Sequence, residues 1–172
     1  MIKTILLAID LGIYTPLLLQ HAASLSKEND ANLVVVHAIE PLGTLGHALL
    51  HTYLRPEVTA QLTTTGMDSI VRQIRSSVID SLTDDYMDGQ FGLLALKEVV
   101  VLPGSPVDVI LQTAEDTQAD LLVLGSRTVD NQGSGLGSVS QKILSISKWP
   151  VYIVPHSPPH WHQNEPPQIS LW

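Results

Sequence analysis

Five short apolar runs, at residues 4–9, 33–39, 98–102, 121–124 and 151–154, set the terms for this chain. They are continuous rather than alternating, the pattern of strands buried on both faces of a parallel sheet. Parallel neighbours need long crossovers, and the segments between the runs carry helical period. Thr15 reads as an N-cap before Pro16, with Leu18, Ala22 and Leu25 on one face. Met67, Val71, Ile74 and Val78 repeat that spacing in a longer second helix. Ser105 as cap, Pro106 and Asp108 mark the start of a third, whose apolar stripe is Val107, Ile110, Leu111 and Ala114. A fourth helix begins near Ser138 and is expected to bury Val139, Ile143 and Ile146. The order β-α-β-α-β-α-β-α-β predicts a single doubly wound α/β domain with right-handed crossovers.

The 172 residues suffice for one sizeable core, and 44% hydrophobic against 15% charged residues is a globular balance. A net charge of −8 argues against non-specific attraction to nucleic acid or an anionic membrane. The chain has no cysteine, which removes disulfides and thiolate metal sites and is compatible with a reducing cytosol. The opening apolar run stops at Asp10, well short of a secretory core or a bilayer span, so a cytoplasmic protein without membrane insertion is expected. Two segments break the pattern. Residues 41–66 form a long connection with little period. Residues 156–172 contain Pro158, Pro159, Pro166 and Pro167 and read as an extended tail. The expected division is a domain at 1–155 and a Pro/His-rich tail at 156–172.

Open α/β sheets bind ligands beyond the carboxyl ends of their strands, where strand order reverses. Asp10 follows the first strand, residues 37–40 (His-Ala-Ile-Glu) close the second, and residues 125–128 (Gly-Ser-Arg-Thr) follow the fourth. Residues 125–140 are rich in glycine and serine and lead into the fourth helix. Such a loop lets backbone N–H groups approach an anion, with Ser138 and Ser140 as hydroxyl donors and Arg127 as a charge. The plainer reading is a tight turn with Ser138 as a helix cap, Asp10 as a turn residue and Arg127 solvated. Other phosphate folds are excluded: no G-x-G-x-x-G follows the first strand, and no G-K-[ST] occurs. No nucleophile–base pair stands in a recognisable context, so no catalytic residues are assigned.

The run Asp120 to Arg127, then Gly137-Ser138-Val139-Ser140, then residues 149–154 (Trp-Pro-Val-Tyr-Ile-Val) resembles the universal stress protein family. The opening residues 5–10 and the turn Gly104-Ser105-Pro106 are similar to it too, and the likeness spans about residues 2–155. It implies a five-stranded parallel sheet ordered 3-2-1-4-5, of the adenine nucleotide alpha-hydrolase-like architecture, with ATP or AMP, with or without Mg, between the first and fourth strands. Carried over residue by residue, Asp10 and the backbone at Ala8 and Ala38 would meet adenine and ribose. Gly125, Arg127, Gly137, Ser138, Val139 and Ser140 would surround the phosphates. Binding members carry G-x-x-G-x9-G-[ST]; here Gly125, Gly137 and Ser138 match, Thr128 replaces the second glycine, and the loop is one residue short. The resemblance thus implies a nucleotide-dependent regulatory protein acting on a protein partner, with a non-binding interaction module of the same fold as the alternative.

Seven histidines raise the question of a metal, but His156, His160 and His162 lie in a proline-rich tail that offers no rigid scaffold. His37 reads as a packed neutral histidine near the end of a buried strand. The fifth strand, Val151–Val154, comes last in the family order, carries no lysine or proline, and is expected to pair across a twofold axis in a homodimer.

Overall fold

A computed structural model describes residues 1–40, 69, 71–76, 79, 96–126 and 135–155. The apolar runs are strands β1 (Thr4–Ala8), β2 (Asn32–Ile39), β3 (Leu96–Pro103), β4 (Leu121–Gly125) and β5 (Val151–Val154). They form one parallel sheet in the order β3-β2-β1-β4-β5. Side chains alternate across a strand, so each run feeds two cores. Ile5, Leu7, Leu33, Val35, Leu121 and Val123 face helix α1 (Thr15–Asn29) and residues Val71 and Ile74 of helix α2, which is helical at residues 71–76. Leu6, Val34, Val36, Leu122 and Leu124 face helices α3 (Pro106–Asp116) and α4 (Ser138–Ile146). Both faces being covered is the reason the runs read as unbroken apolar stretches, and each fully buried Leu, Ile or Val contributes roughly 1.5–3 kcal/mol.

Several local expectations need correction. Tyr14, not Thr15, is the N-cap of α1, and its side chain makes no capping bond. Thr15 is the first helical residue, and its buried hydroxyl has no partner among the described residues. Ser105 holds the extended N-cap position of α3 without a side-chain capping bond. In α4, Ile143 is fully buried and Val139 half-buried, but Ile146 is exposed. That helix rests on the sheet near its middle, leaving Leu144 and Ile146 on the outside. Strand β3 begins earlier than the apolar run suggested, at Leu96, which pairs with Leu33; Glu98 pairs with Val34, and Lys97 between them is the extra residue where the register shifts, with the Lys97 and Glu98 side chains exposed. Met67, Val78 and residues 41–66 and 156–172 lie outside the described residues.

Two polar devices fix the strand ends. The Asp120 carboxylate, just before β4, accepts from the N–H groups of Lys3 (2.7 Å) and Thr4 (2.9 Å), tying β4 to β1. Those two backbone bonds favour the carboxylate and lower its pKa below the ordinary aspartate value. At the other end of the sheet Gly104 adopts φ +150° and donates its N–H to the Ile39 carbonyl at 2.9 Å. A side chain there would be strained and its Cβ would come within 2.9 Å of Val109 Cγ2. Gly104 thereby turns β3 sharply into Pro106 at the head of α3.

Candidate functional site

Strand order reverses at β1, whose neighbours are β2 and β4. The crossovers that leave β1 and β4 go to opposite faces of the sheet, α1 to one and α4 to the other. A cleft of about 280 Å³ opens at this point, beyond the carboxyl ends of the strands. Its floor comes from Ala8, Val36, Ala38 and Leu124, with Pro106 and Ile110 of α3 on one side and Tyr14 and Leu18 of α1 on the other. The walls are therefore mainly apolar, and the polar groups gather at the rim.

Every expected site residue that the structure describes lines this one cleft: Ala8, Asp10, Ala38, Gly125, Gly137, Ser138, Val139 and Ser140. Arg127 and Thr128 lie outside the described residues. The roles of these groups are more differentiated than their types suggested. Asp10 is exposed and accepts from the Gly12 N–H through Oδ1 at 2.8 Å, so it is at once a turn residue and a cleft residue. The buried Ser140 hydroxyl donates to the Gly125 carbonyl at 2.7 Å and thus braces α4 against the end of β4. The Gly137 N–H donates to the Ser126 carbonyl at 2.7 Å. Gly137 has φ −61° and ψ 153°, a conformation open to any residue.

Both groups are used within the protein, so the donors not spent in this way lie further along the chain. The first intrahelical bond of α4 runs from the Gln141 N–H to the Gly137 carbonyl at 2.9 Å. The N–H groups of Ser138, Val139 and Ser140 precede it, at the positive end of the helix, together with the exposed Ser138 side chain.

Of the other lining residues, His37 and Glu40 belong to the strand-end segment 37–40 that the sequence singled out, whereas Ile9 and Tyr14 were passed over. His37 was readable as a packed histidine; it is half-buried, but its Nδ1 bonds the Ile9 carbonyl at 2.9 Å and its residue lines the cleft. The strand-end rule pointed at this segment without ranking its residues. Tyr14, Pro106 and Ile110 gave no signal, because helix residues reach the cleft only through the crossover geometry.

The model of the universal stress protein family matches residues 1–155. The chain belongs to the universal stress protein family. A family member from Thermus aquaticus, the universal stress protein in the QAH/OAS sulfhydrylase 3′ region, is 30% identical over 156 residues, covering 90% of this chain and 99% of its own. Two solved structures share the family fold. The hypothetical protein MJ0577, solved as a test case of structural genomics, has a TM-score of 0.66 at 19% identity and covers 92% of this chain and 99% of its own. A universal stress protein solved in complex with cAMP has a TM-score of 0.53 at 19% identity, covering 91% and 98%.

Proposed function

We propose that this universal stress protein family member binds an adenine nucleotide, ATP or AMP, in the β1–β4 cleft, and that occupancy alters its contacts with a protein partner. The observation that carries the reading is the convergence of all the described expected residues on one cleft at the strand-order reversal. The donor set fits such a ligand. An apolar slot suits a flat base, the Asp10 carboxylate suits ribose hydroxyls, and consecutive helix N–H groups suit a phosphate. The cAMP complex of a neighbouring fold adds weight to a nucleotide as the ligand class. The reading places the binding domain at residues 1–155, with 156–172 as an appended tail, in a cytoplasmic setting. Among the described residues no helix is long and apolar enough to cross a membrane.

The second reading is a homodimeric interaction module that binds no nucleotide. The spent Gly137 N–H and Ser140 hydroxyl favour it, as does β5 at the sheet edge with Tyr152 exposed. Calorimetric titration with ATP, ADP, AMP and cAMP separates the two. Micromolar affinity, roughly −8 kcal/mol, supports the first. Absence of heat up to millimolar nucleotide, with folded protein, removes the first and favours the second.

A further inference from the structure

The β1–β2 ladder ends in an unusual way directly below the cleft. Ile9, the residue after β1, donates its N–H to the Val36 carbonyl at 3.0 Å, so the parallel pattern runs one step past the strand. The next rung of a parallel ladder would run from the Ala38 N–H to the Ile9 carbonyl. Among the described residues that rung is missing, and the Ile9 carbonyl is instead held by His37 Nδ1 at 2.9 Å. A carbonyl can only accept, so Nδ1 carries the proton of this bond.

Ile9 leads into a loop with little freedom. Asp10 Oδ1 accepts from the Gly12 N–H at 2.8 Å, and Leu11 between them is left-handed at φ 60°. A Cβ added to Gly12 would come within 2.9 Å of that same Oδ1 and 3.3 Å of the carboxylate carbon. The carboxylate is thus folded against Gly12, with Oδ1 engaged and Oδ2 the oxygen left for a ligand. Ile9, which leads into this turn, is held from β2 through both its N–H and its carbonyl, by a main-chain acceptor at Val36 and a side-chain donor at His37.

We propose that His37 is a positioning residue: by taking the Ile9 carbonyl it fixes the Asp10 turn and turns the Ala38 N–H over to the cleft ligand. The ligand part of this proposal rests on the nucleotide reading above; the part about the turn does not. His37 need not touch the ligand. Its imidazole replaces one rung of main-chain pairing, so the edge of β2 beside the cleft keeps a donor that the sheet would otherwise consume.

The test uses the full chain and two variants. Asn in place of His37 keeps an N–H near the Nδ1 position, whereas Phe keeps the bulk and removes the donor. Nitrogen NMR of the ligand-free protein is expected to show His37 protonated at Nδ1, and a neutral ring protonated only at Nε2 would overturn the proposal. The Gly12 amide resonance, which reports the Asp10 turn, is expected to move in His37→Phe and to return towards wild type in His37→Asn. Titration with AMP is expected to show about a tenfold loss for His37→Phe, the worth of one or two hydrogen bonds, and recovery to within about threefold for His37→Asn. An unmoved Gly12 resonance in a folded His37→Phe protein refutes positioning. So does equal behaviour of the Asn and Phe variants. A wild type that binds no nucleotide sinks the binding reading and the role given to Ala38, while the two NMR measurements still decide whether His37 holds the turn.

Discussion

Ser140→Ala separates a bracing hydroxyl from a phosphate-binding one. In the structure Ser140 as a residue is 7% exposed, and its hydroxyl donates to the Gly125 carbonyl, 2.7 Å away. Removing it forfeits this hydrogen bond and leaves the half-buried Gly125 carbonyl without its donor, a cost of about 1–2 kcal/mol. For a domain of this size that corresponds to a fall in Tm of roughly 3–6 °C. The urea midpoint should fall with the slope of the transition unchanged, since the exposed surface on unfolding is the same. The Ser140 N–H remains at the helix end, so AMP affinity should change less than about threefold, an energy well below that of a lost charge-assisted hydrogen bond. The exposed Ser138 supplies the contrast: Ser138→Ala should leave stability within about 0.5 kcal/mol while weakening AMP binding more than Ser140→Ala does. A Ser140→Ala protein of unchanged stability that no longer binds AMP would refute the reasoning and return the hydroxyl to the ligand.

Other outcomes can be checked with the same material. Gly104→Ala should cost about 2–4 kcal/mol in urea unfolding, because backbone strain adds to the contact with Val109 Cγ2. Asp120→Ala should destabilise in a pH-dependent way: because the folded pKa is lowered, the stabilisation is complete above the unfolded value of about 3.9 and is lost as pH falls through the folded value, so the two unfolding curves should converge in acid. Thr15→Val should raise stability by about 1 kcal/mol, since it removes a buried hydroxyl without a partner among the described residues; a loss in thermal unfolding would contradict this. Sedimentation of the full chain and of a version ending at Pro155 should give dimers in both if β5 pairs across a twofold axis, and a monomer in both over the micromolar range would exclude that pairing.

The architecture was legible because burial on both faces writes itself into the central strands. Leu6 and Leu7, or Val34 and Val35, point to different helices yet must both be apolar. The residues of the cleft were legible by position, as strand ends at a topological reversal, and by family likeness. Their division of labour was not. Whether Ser140 faces a ligand or the Gly125 carbonyl depends on how closely α4 approaches β4, a tertiary distance that no local pattern encodes. The same holds for the Gly137 N–H and for His37, whose partner lies 28 residues away, just past the end of the neighbouring strand. The misassigned cap of α1 has a simpler cause: Thr15 and Pro16 carry the usual signal, but Tyr14 lies one residue earlier and holds the cap position by backbone geometry alone. Ile146 misled because an apolar residue at the end of a short helix can overhang the sheet it belongs to.

The Asp120 clasp on Lys3 and Thr4 sits at the end of the sheet opposite the cleft. A parallel sheet has a direction, and here it divides inheritance as well as space. Substitutions around residues 3, 4 and 120 retune the stability of the folded protein without reaching the cleft. Substitutions around residues 8–12, 36–40 and 137–140 reshape the cleft while the clasp keeps the strands in register. A lineage built this way can drift in stability and in the shape of its cleft separately, each at its own end of the same strands.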